Sequence, residues 1–398
     1  MLPLEGVRIL AVEQYGAGPC GTQYLADLGA EVIKIESPHD DGDMARAVGP
    51  YFLGDGKSTA ASEFFQSFNR NKRSITLDLG CDEGQVVLHD LIKSADALCG
   101  NMRGDVPEKL GLTYESLSKV NPKIVCAFLT AYGRQGPRKN WPGFDYLMQA
   151  EAGYFSLTGE VDTPPTRMGL SLVDIMTGQT MALACVSAIV RARDTGKGQN
   201  IDTNLFDLAL SNLGYLGAWY LNEGHVQGRE QRSGHPSLVP CAQFTTKDGW
   251  IFLMCNKEKF WPNLCEKIGR PGLGTDPRYA RFKNRLEHRQ EIQDLLDDAL
   301  SARTTEEWLN HFAGSVPAAP ILDVGQAIEN PFVIDRGKHM QLTLQDGTPF
   351  RLLDAPFETG TPTPNNPAPE LGADTDDILA GIGYDDARIA ALRKNSVI

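Results

Sequence analysis

The first third of the chain alternates short apolar runs with amphipathic stretches. Residues 7–12 (VRILAV) and 31–35 (EVIKI) are rich in branched aliphatic side chains, which predicts two buried strands. Between them a glycine turn at 16–21 leads to a short helix over 23–28. A further strand is predicted over 73–79, a helix over 83–94, a short strand near Ala97 and another strand at 122–127 (PKIVCA). Alternation of this kind predicts a mainly parallel sheet with helices packed on both faces. Apolar positions then dominate 180–193 (TMALACVSAIVRAR), a long helix stopped by Thr195-Gly196-Lys197-Gly198, and a further helical run follows over 205–221.

The pattern changes at 224–240, a Gly/His/Ser/Pro stretch that reads as a loop. Residues 243–254 predict a hairpin around Lys247-Asp248-Gly249, followed by helices over 259–268, 288–302 and 305–313. A late hairpin (341–344 and 350–353, around Asp346-Gly347), a proline-rich connector at 361–369 and a helical tail from Thr375 complete the chain. The expected fold class is α/β. A large Rossmann-like parallel-sheet domain spans 1–205 and is completed by about 345–398. A linker (206–234), a small α+β domain (235–325) and a return linker (326–344) lie between. Trp250, Phe260 and Trp261 read as core of the small domain.

Charge narrows the functions. A net charge of −13 argues against a nucleic-acid partner, because phosphate binding needs a basic footprint. The eight cysteines are scattered without metal-ligand spacing, which fits reduced thiols and neither disulfides nor a metal site. The N-terminal MLPLEGVRILAVE lacks a signal-peptide pattern, and the longest apolar run, 181–190, is too short to span a bilayer. The expectation is a soluble, cytoplasmic protein with no membrane partner and no metal.

Two segments carry candidate chemistry. In SLVDIMTG (171–178), Asp174 lies between an extended apolar run and the long helix, where unpaired N–H groups and the positive end of the helix dipole converge. Such a setting keeps a carboxylate ionised and fixed in direction, as a nucleophile requires; equally, Asp is a favoured helix N-cap, the plainer reading of this segment alone. The second segment, Gly16-Ala17-Gly18-Pro19-Cys20-Gly21, fits the GxGxxG dinucleotide fingerprint, with Glu36 closing the next strand. An NAD-dependent oxidoreductase is therefore an alternative. Pro19 removes an N–H from the turn that would cradle a pyrophosphate, and no His, Lys or Tyr set for hydride transfer follows. Glycines placed for tight packing explain the motif as well.

Several pieces, in order, resemble the class III CoA-transferases, the family of formyl-CoA transferases, carnitine CoA-transferases and α-methylacyl-CoA racemases. They are LEGVRIL…GAGP…LADLGAEVIKIE (4–36), FNRNKRSI (68–75) with Leu77-Asp78, and Asn101-Met102-Arg103 ahead of Leu110-Gly111 and Asn121-Pro122. GRQGP (133–137) before Gly143-Phe144-Asp145, Thr158-Gly159-Glu160, Val173-Asp174 and TGKGQ (195–199) continue the series. Ala355-Pro356-Phe357 and Leu371-Gly372 extend it towards the end.

The resemblance implies coenzyme A chemistry with no metal and no NAD. Asp174 would attack the thioester of an acyl-CoA to give a mixed anhydride, then an aspartyl-CoA thioester that a small carboxylic acid resolves. Asp145 would orient the site or merely cap the helix beginning near Tyr146. The racemases carry a histidine immediately before that acid, where this chain has Phe144, so the racemase alternative is disfavoured. The resemblance places coenzyme A against Gln14, Tyr15, Gly16, Ala17, Leu77, Asn101, Met102 and Lys109, with Arg70, Lys72, Arg73 and Arg103 supplying local positive charge. Gly16 replaces a glutamine of the formyl-CoA transferases, and GHVQGREQRSGHPSLVP (224–240) replaces their glycine-rich loop, which puts oxalate as acceptor in doubt. Arg232 and His235 lie there as acceptor-binding candidates, against the plainer reading of a surface loop. The family also implies an interlocked homodimer, consistent with the long connections at about 205–235 and 325–355.

Overall fold

The computed structural model describes all 398 residues. Six strands form the main sheet: β1 (Arg8–Val12), β2 (Glu31–Glu36), β3 (Arg73–Thr76), β4 (Ala97–Gly100), β5 (Val125–Thr130) and β6 (Gln199–Asn204). Their order is β3-β2-β1-β4-β5-β6 and all neighbours are parallel, with Leu10 of β1 beside Ile33 on one side and Leu98 on the other. The strand order reverses between β1 and β4, the place where open α/β sheets bind ligands beyond their strand ends. β6 has no counterpart among the predicted strands. It is an edge strand of sequence QNIDTN without a fully buried residue, so no apolar run betrays it. β5 is displaced from the predicted 122–127 because Asn121 and Pro122 belong to the turn before it.

The expected glycine turn is instead the start of a helix, Ala17–Asp27. Pro19 falls in its first turn, where an N–H would have no intrahelical partner. Gly21 is needed because this helix crosses the long one, Leu172–Thr195, at near backbone contact. A Cβ on Gly21 would lie 2.3 Å from the Gly178 carbonyl oxygen, and one on Gly178 would lie 2.2 Å from that of Ala17. The glycines therefore serve helix-on-helix packing. Glu36 lies in an ion pair with Arg46, Nη2 to Oε1 2.7 Å. Burial would raise its carboxyl, but Arg46 and Lys34 outweigh that and bring it down to about 2.

The long helix begins at Leu172, earlier than the predicted Thr180, because its first turns pack through small and polar positions such as Thr177 and Gly178 and lack an apolar stripe. It ends at Thr195 with Gly196 in the left-handed conformation (φ 74°), a standard helix stop. By length and apolar content this helix could cross a membrane, but half of its apolar stretch is buried within the protein, where it packs on the first helix and on β5 and β6.

The chain divides into two compact units. The first comprises Met1–Ala152, Met168–Gly214 and Ile334–Ile398; the second comprises Gly153–Arg167 and Tyr215–Val333. C-terminal helices Thr375–Gly381 and Asp386–Lys394 belong to the first because Leu379, Leu392 and Val397 join Leu10, Ile33 and Leu98 in one buried cluster. The second unit holds an antiparallel sheet of β7 (Cys241–Thr245), β8 (Trp250–Met254) and β9 (Ala318–Pro320). Helices cover it around Phe244, Ile251, Trp261, Trp308 and Phe312. Trp261 is buried and Phe260 packs against this core, but Trp250 is not core. It takes an outward position on β8, next to inward Ile251, and stays 48% exposed.

Candidate active site

A cavity of about 740 Å³ opens at the carboxyl ends of all six parallel strands. Its wall takes Val12 from β1, Ile35 from β2, Leu77 after β3, Asn101 after β4, Leu129 from β5 and Leu205 after β6. Asp174 reaches the same space from the first turn of the long helix.

The helix geometry decides between the two readings of Asp174. Ser171 occupies the N-cap position and Asp174 is the third helical residue, so its side chain does not cap. The residue is buried, 8% exposed, and its carboxylate makes no hydrogen bond. Capping comes from elsewhere: Asp145 Oδ2 accepts the Asp174 N–H at 2.9 Å. Asp145 itself opens the helix Asp145–Glu151, with Phe144 at the N-cap position. Its other oxygen accepts from Gln149 Nε2 at 2.6 Å, and Gln149 in turn binds the Leu170 carbonyl (3.0 Å) and the Met168 N–H (3.2 Å). A small polar cluster thus secures the chain leading into the nucleophile-bearing turn. The expectation that the helix dipole keeps Asp174 fully ionised is not met. Burial, and then the Asp145 charge, raise its carboxyl from 3.8 to about 7. Near neutrality Asp174 divides between its acid and carboxylate forms.

Gln14, Tyr15, Gly16, Ala17, Leu77, Asn101, Met102 and Arg103 all line the cavity with Asp174. Gly16 adjoins the carboxylate: a Cβ there would sit 3.5 Å from Asp174 Oδ2. Asn101 grips Gln14 twice, accepting its N–H at 2.8 Å and donating to its carbonyl at 2.7 Å. The remaining cations do not come to the wall. Lys72 is wholly buried against Glu13 (2.8 Å), and burial pulls its ammonium down to about 8 despite that partner. Arg70 forks onto Asp27 (2.5 Å), and Arg73 pairs with Glu31 (2.9 Å) and Asp374 (3.3 Å). Each answers a buried or half-buried carboxylate within the fold. Lys109 is exposed and joins Arg103 on Asp105, both at 2.5 Å.

Sequence reasoning missed Trp141, Pro142 and Gly143, which line the cavity just before Phe144 and share its segment. It also missed Lys34, Asp43 and Glu13, a buried charge set behind residues 14–16; a lysine inside the apolar strand VIKI was the available signal. In the second unit Arg232 is engaged by Asp297 through both terminal nitrogens (2.8 and 2.6 Å). His235 Nδ1 accepts the backbone N–H groups of Ser237 (3.1 Å) and Leu238 (3.2 Å). Both side chains thereby hold their own loop.

A parallel sheet with a carboxylate-bearing helix at its ligand end is a fold that many proteins share, so the family rests on comparison of the whole chain. The chain belongs to CoA-transferase family III, whose profile matches residues 4–375, and it is an enzyme of that class. It is 34% identical to the succinate–glutarate CoA-transferase of Agrobacterium fabrum over 383 residues, covering 95% of both chains. It is 33% identical to the acetyl-CoA:oxalate CoA-transferase of Acetobacter aceti over 395 residues, covering 98% of this chain and 95% of that one. The crystal structure of a CaiB/BaiF family protein from Brucella suis superposes with a TM-score of 0.81 at 31% identity, covering 96% of this chain and 99% of that one.

Proposed function

We propose that this enzyme moves coenzyme A from an acyl-CoA donor to a small carboxylic acid, with Asp174 as the covalent nucleophile. The observation that carries this reading is a buried carboxylate, free of hydrogen bonds, facing a cavity of about 740 Å³ at the carboxyl ends of the parallel strands. An Asp174 oxygen attacks the thioester carbonyl carbon, the C–S bond breaks, and the CoA thiolate leaves a mixed anhydride on the protein. The thiolate then attacks the Asp174 carbonyl carbon and expels the donor acid. An acceptor carboxylate attacks the resulting aspartyl thioester, and the returning thiolate takes the new acyl group and restores Asp174. Thioester and acid are exchanged for thioester and acid, so the enzyme needs chiefly to stabilise oxyanions and exclude water.

Residues 14–17, Leu77, Asn101, Met102 and Arg103 would hold the CoA, and Lys109, outside the cavity lining, shares Asp105 with Arg103. Succinyl-CoA is the first donor to test, and dicarboxylic acids of the glutarate type the first acceptors, since relatives carry those names. Phe144, which cannot exchange a proton, supports transfer over racemisation. Leu183 (71% exposed) and Val190 (57% exposed) on the long helix support a homodimer, and eight free cysteines suit a reducing cytoplasm. The test incubates succinyl-CoA and acetyl-CoA with a panel of mono- and dicarboxylates. New acyl-CoA formed by the wild type and lost in Asp174→Ala is the expected result. Equal transfer by Asp174→Ala would refute the assignment.

A further inference from the structure

Residues 13–16 join β1 to the first helix and present Gly16 to Asp174. This corner is not relaxed: Tyr15 has φ 67°, in the left-handed region that a bulky side chain rarely adopts. What holds it lies behind the cavity wall. Asp43, 2% exposed, accepts the Tyr15 N–H through Oδ1 at 2.9 Å. Its other oxygen is 2.8 Å from the ammonium of Lys34, a pair with both side chains fully buried. Lys34 also donates to the Glu13 carbonyl at 2.9 Å, so one lysine fixes the corner's first carbonyl and the carboxylate that grips its third residue. The Asp43 N–H is held by Glu36 at 2.9 Å. Lys34 and Glu36 stand two residues apart on β2, hence on one face of it. The path from strand to nucleophile runs β2, Asp43, Tyr15, Gly16, Asp174.

We propose that Asp43 is a positioning residue for CoA transfer: by keeping Tyr15 left-handed it fixes Gly16, the wall against which the Asp174 carboxylate and the incoming thioester are aligned. The inference rests on Asp174 being the nucleophile. It gives a purpose to an ion pair that burial alone makes expensive, since a buried pair is seldom a net gain in stability. Asp43 also accepts the Ala45 N–H at 2.9 Å, so a purely structural capping role is the competing explanation.

The test removes the hydrogen-bond acceptor without stranding a charge. Lys34→Met/Asp43→Asn keeps a side-chain oxygen for the Tyr15 N–H; Lys34→Met/Asp43→Ala loses it. Each pair is made with Tyr15 and with Tyr15→Gly, because glycine adopts positive φ without a steric cost. The readouts are the single-turnover rate of adduct formation on Asp174 with succinyl-CoA, kcat, donor KM and the melting temperature. With Tyr15 present, the alanine form is expected to be about ten- to hundredfold slower than the asparagine form in adduct formation and kcat, since small misplacements cost rates of that order. Donor KM should change by less than about threefold, an expectation for misalignment without lost binding. With glycine at 15 the gap should shrink to about threefold or less. An equal gap in both backgrounds, or a change confined to the melting temperature, would overturn the inference. A wild-type enzyme that turns over without an adduct on Asp174 would instead overturn the nucleophile assignment, and the inference with it.

Discussion

At pH 8 the folded protein holds a charge on Asp174 that the unfolded chain would carry more cheaply, so Asp174→Asn is expected to stabilise the enzyme while stopping turnover. In the fold the carboxyl titrates near 7, and its ordinary value is 3.8. The folded state therefore keeps the proton more tightly, and this group's contribution to stability is full below about pH 4 and is lost as pH rises through 7. A rise from 3.8 to about 7 corresponds to about 4 kcal/mol at the alkaline plateau. Water entering the cavity screens the Asp145 charge, and about 2 kcal/mol is the gain to expect from an amide that neither ionises nor fits perfectly. At roughly 1–2 °C per kcal/mol for a chain of 398 residues in two units, the melting temperature should rise by about 2–4 °C at pH 8. The gain should be much smaller at pH 5 and absent near pH 4. Calorimetric scans of both proteins across this range decide the matter. A lower melting temperature for Asp174→Asn at pH 8, or a shift independent of pH, would show that Asp174 is not held at a cost.

The acid limb of kcat should follow Asp174, with activity rising as pH passes through about 7, and Asp145→Asn should move that limb to lower pH by removing the like charge; an unmoved limb would place the titration elsewhere. Gly178→Ala puts a methyl group against the Ala17 carbonyl and should destabilise the protein by about 3 kcal/mol, with a matching loss of activity, since it spreads the helices one turn from Asp174. Its melting temperature and kcat measured together check this. Arg70→Ala should lower stability by about 3–5 kcal/mol by stranding Asp27, yet leave donor KM within about twofold. A large KM effect with normal melting would return Arg70 to the CoA site.

The strands that bury apolar side chains on both faces, β1 and β5 above all, are plain in the sequence because covering both faces leaves little room for polar residues. β6 is not, since an edge strand satisfies its partner through the backbone and can be polar throughout. Read locally, the glycine pattern fits a dinucleotide turn and tight packing equally, for a related reason. Gly21 and Gly178 are far apart in sequence, and only their meeting explains either. Asp174 could be singled out as a carboxylate near a helix start, but its weakened acidity depends on burial and on the Asp145 charge, which no local pattern encodes. Cations were the weakest inference. Lys72, Arg70 and Arg73 look like a phosphate-binding cluster in FNRNKR, but their partners Glu13, Asp27, Glu31 and Asp374 are scattered over the chain. Opposite charges that meet only in three dimensions cannot be paired by reading along one.

The most direct test of the account is mass spectrometry of enzyme quenched during turnover with succinyl-CoA. The peptide containing Asp174 should carry coenzyme A as a thioester, and hydroxylamine should convert that residue alone to a hydroxamate. Active transfer with residue 174 unmodified at every quench time would contradict it.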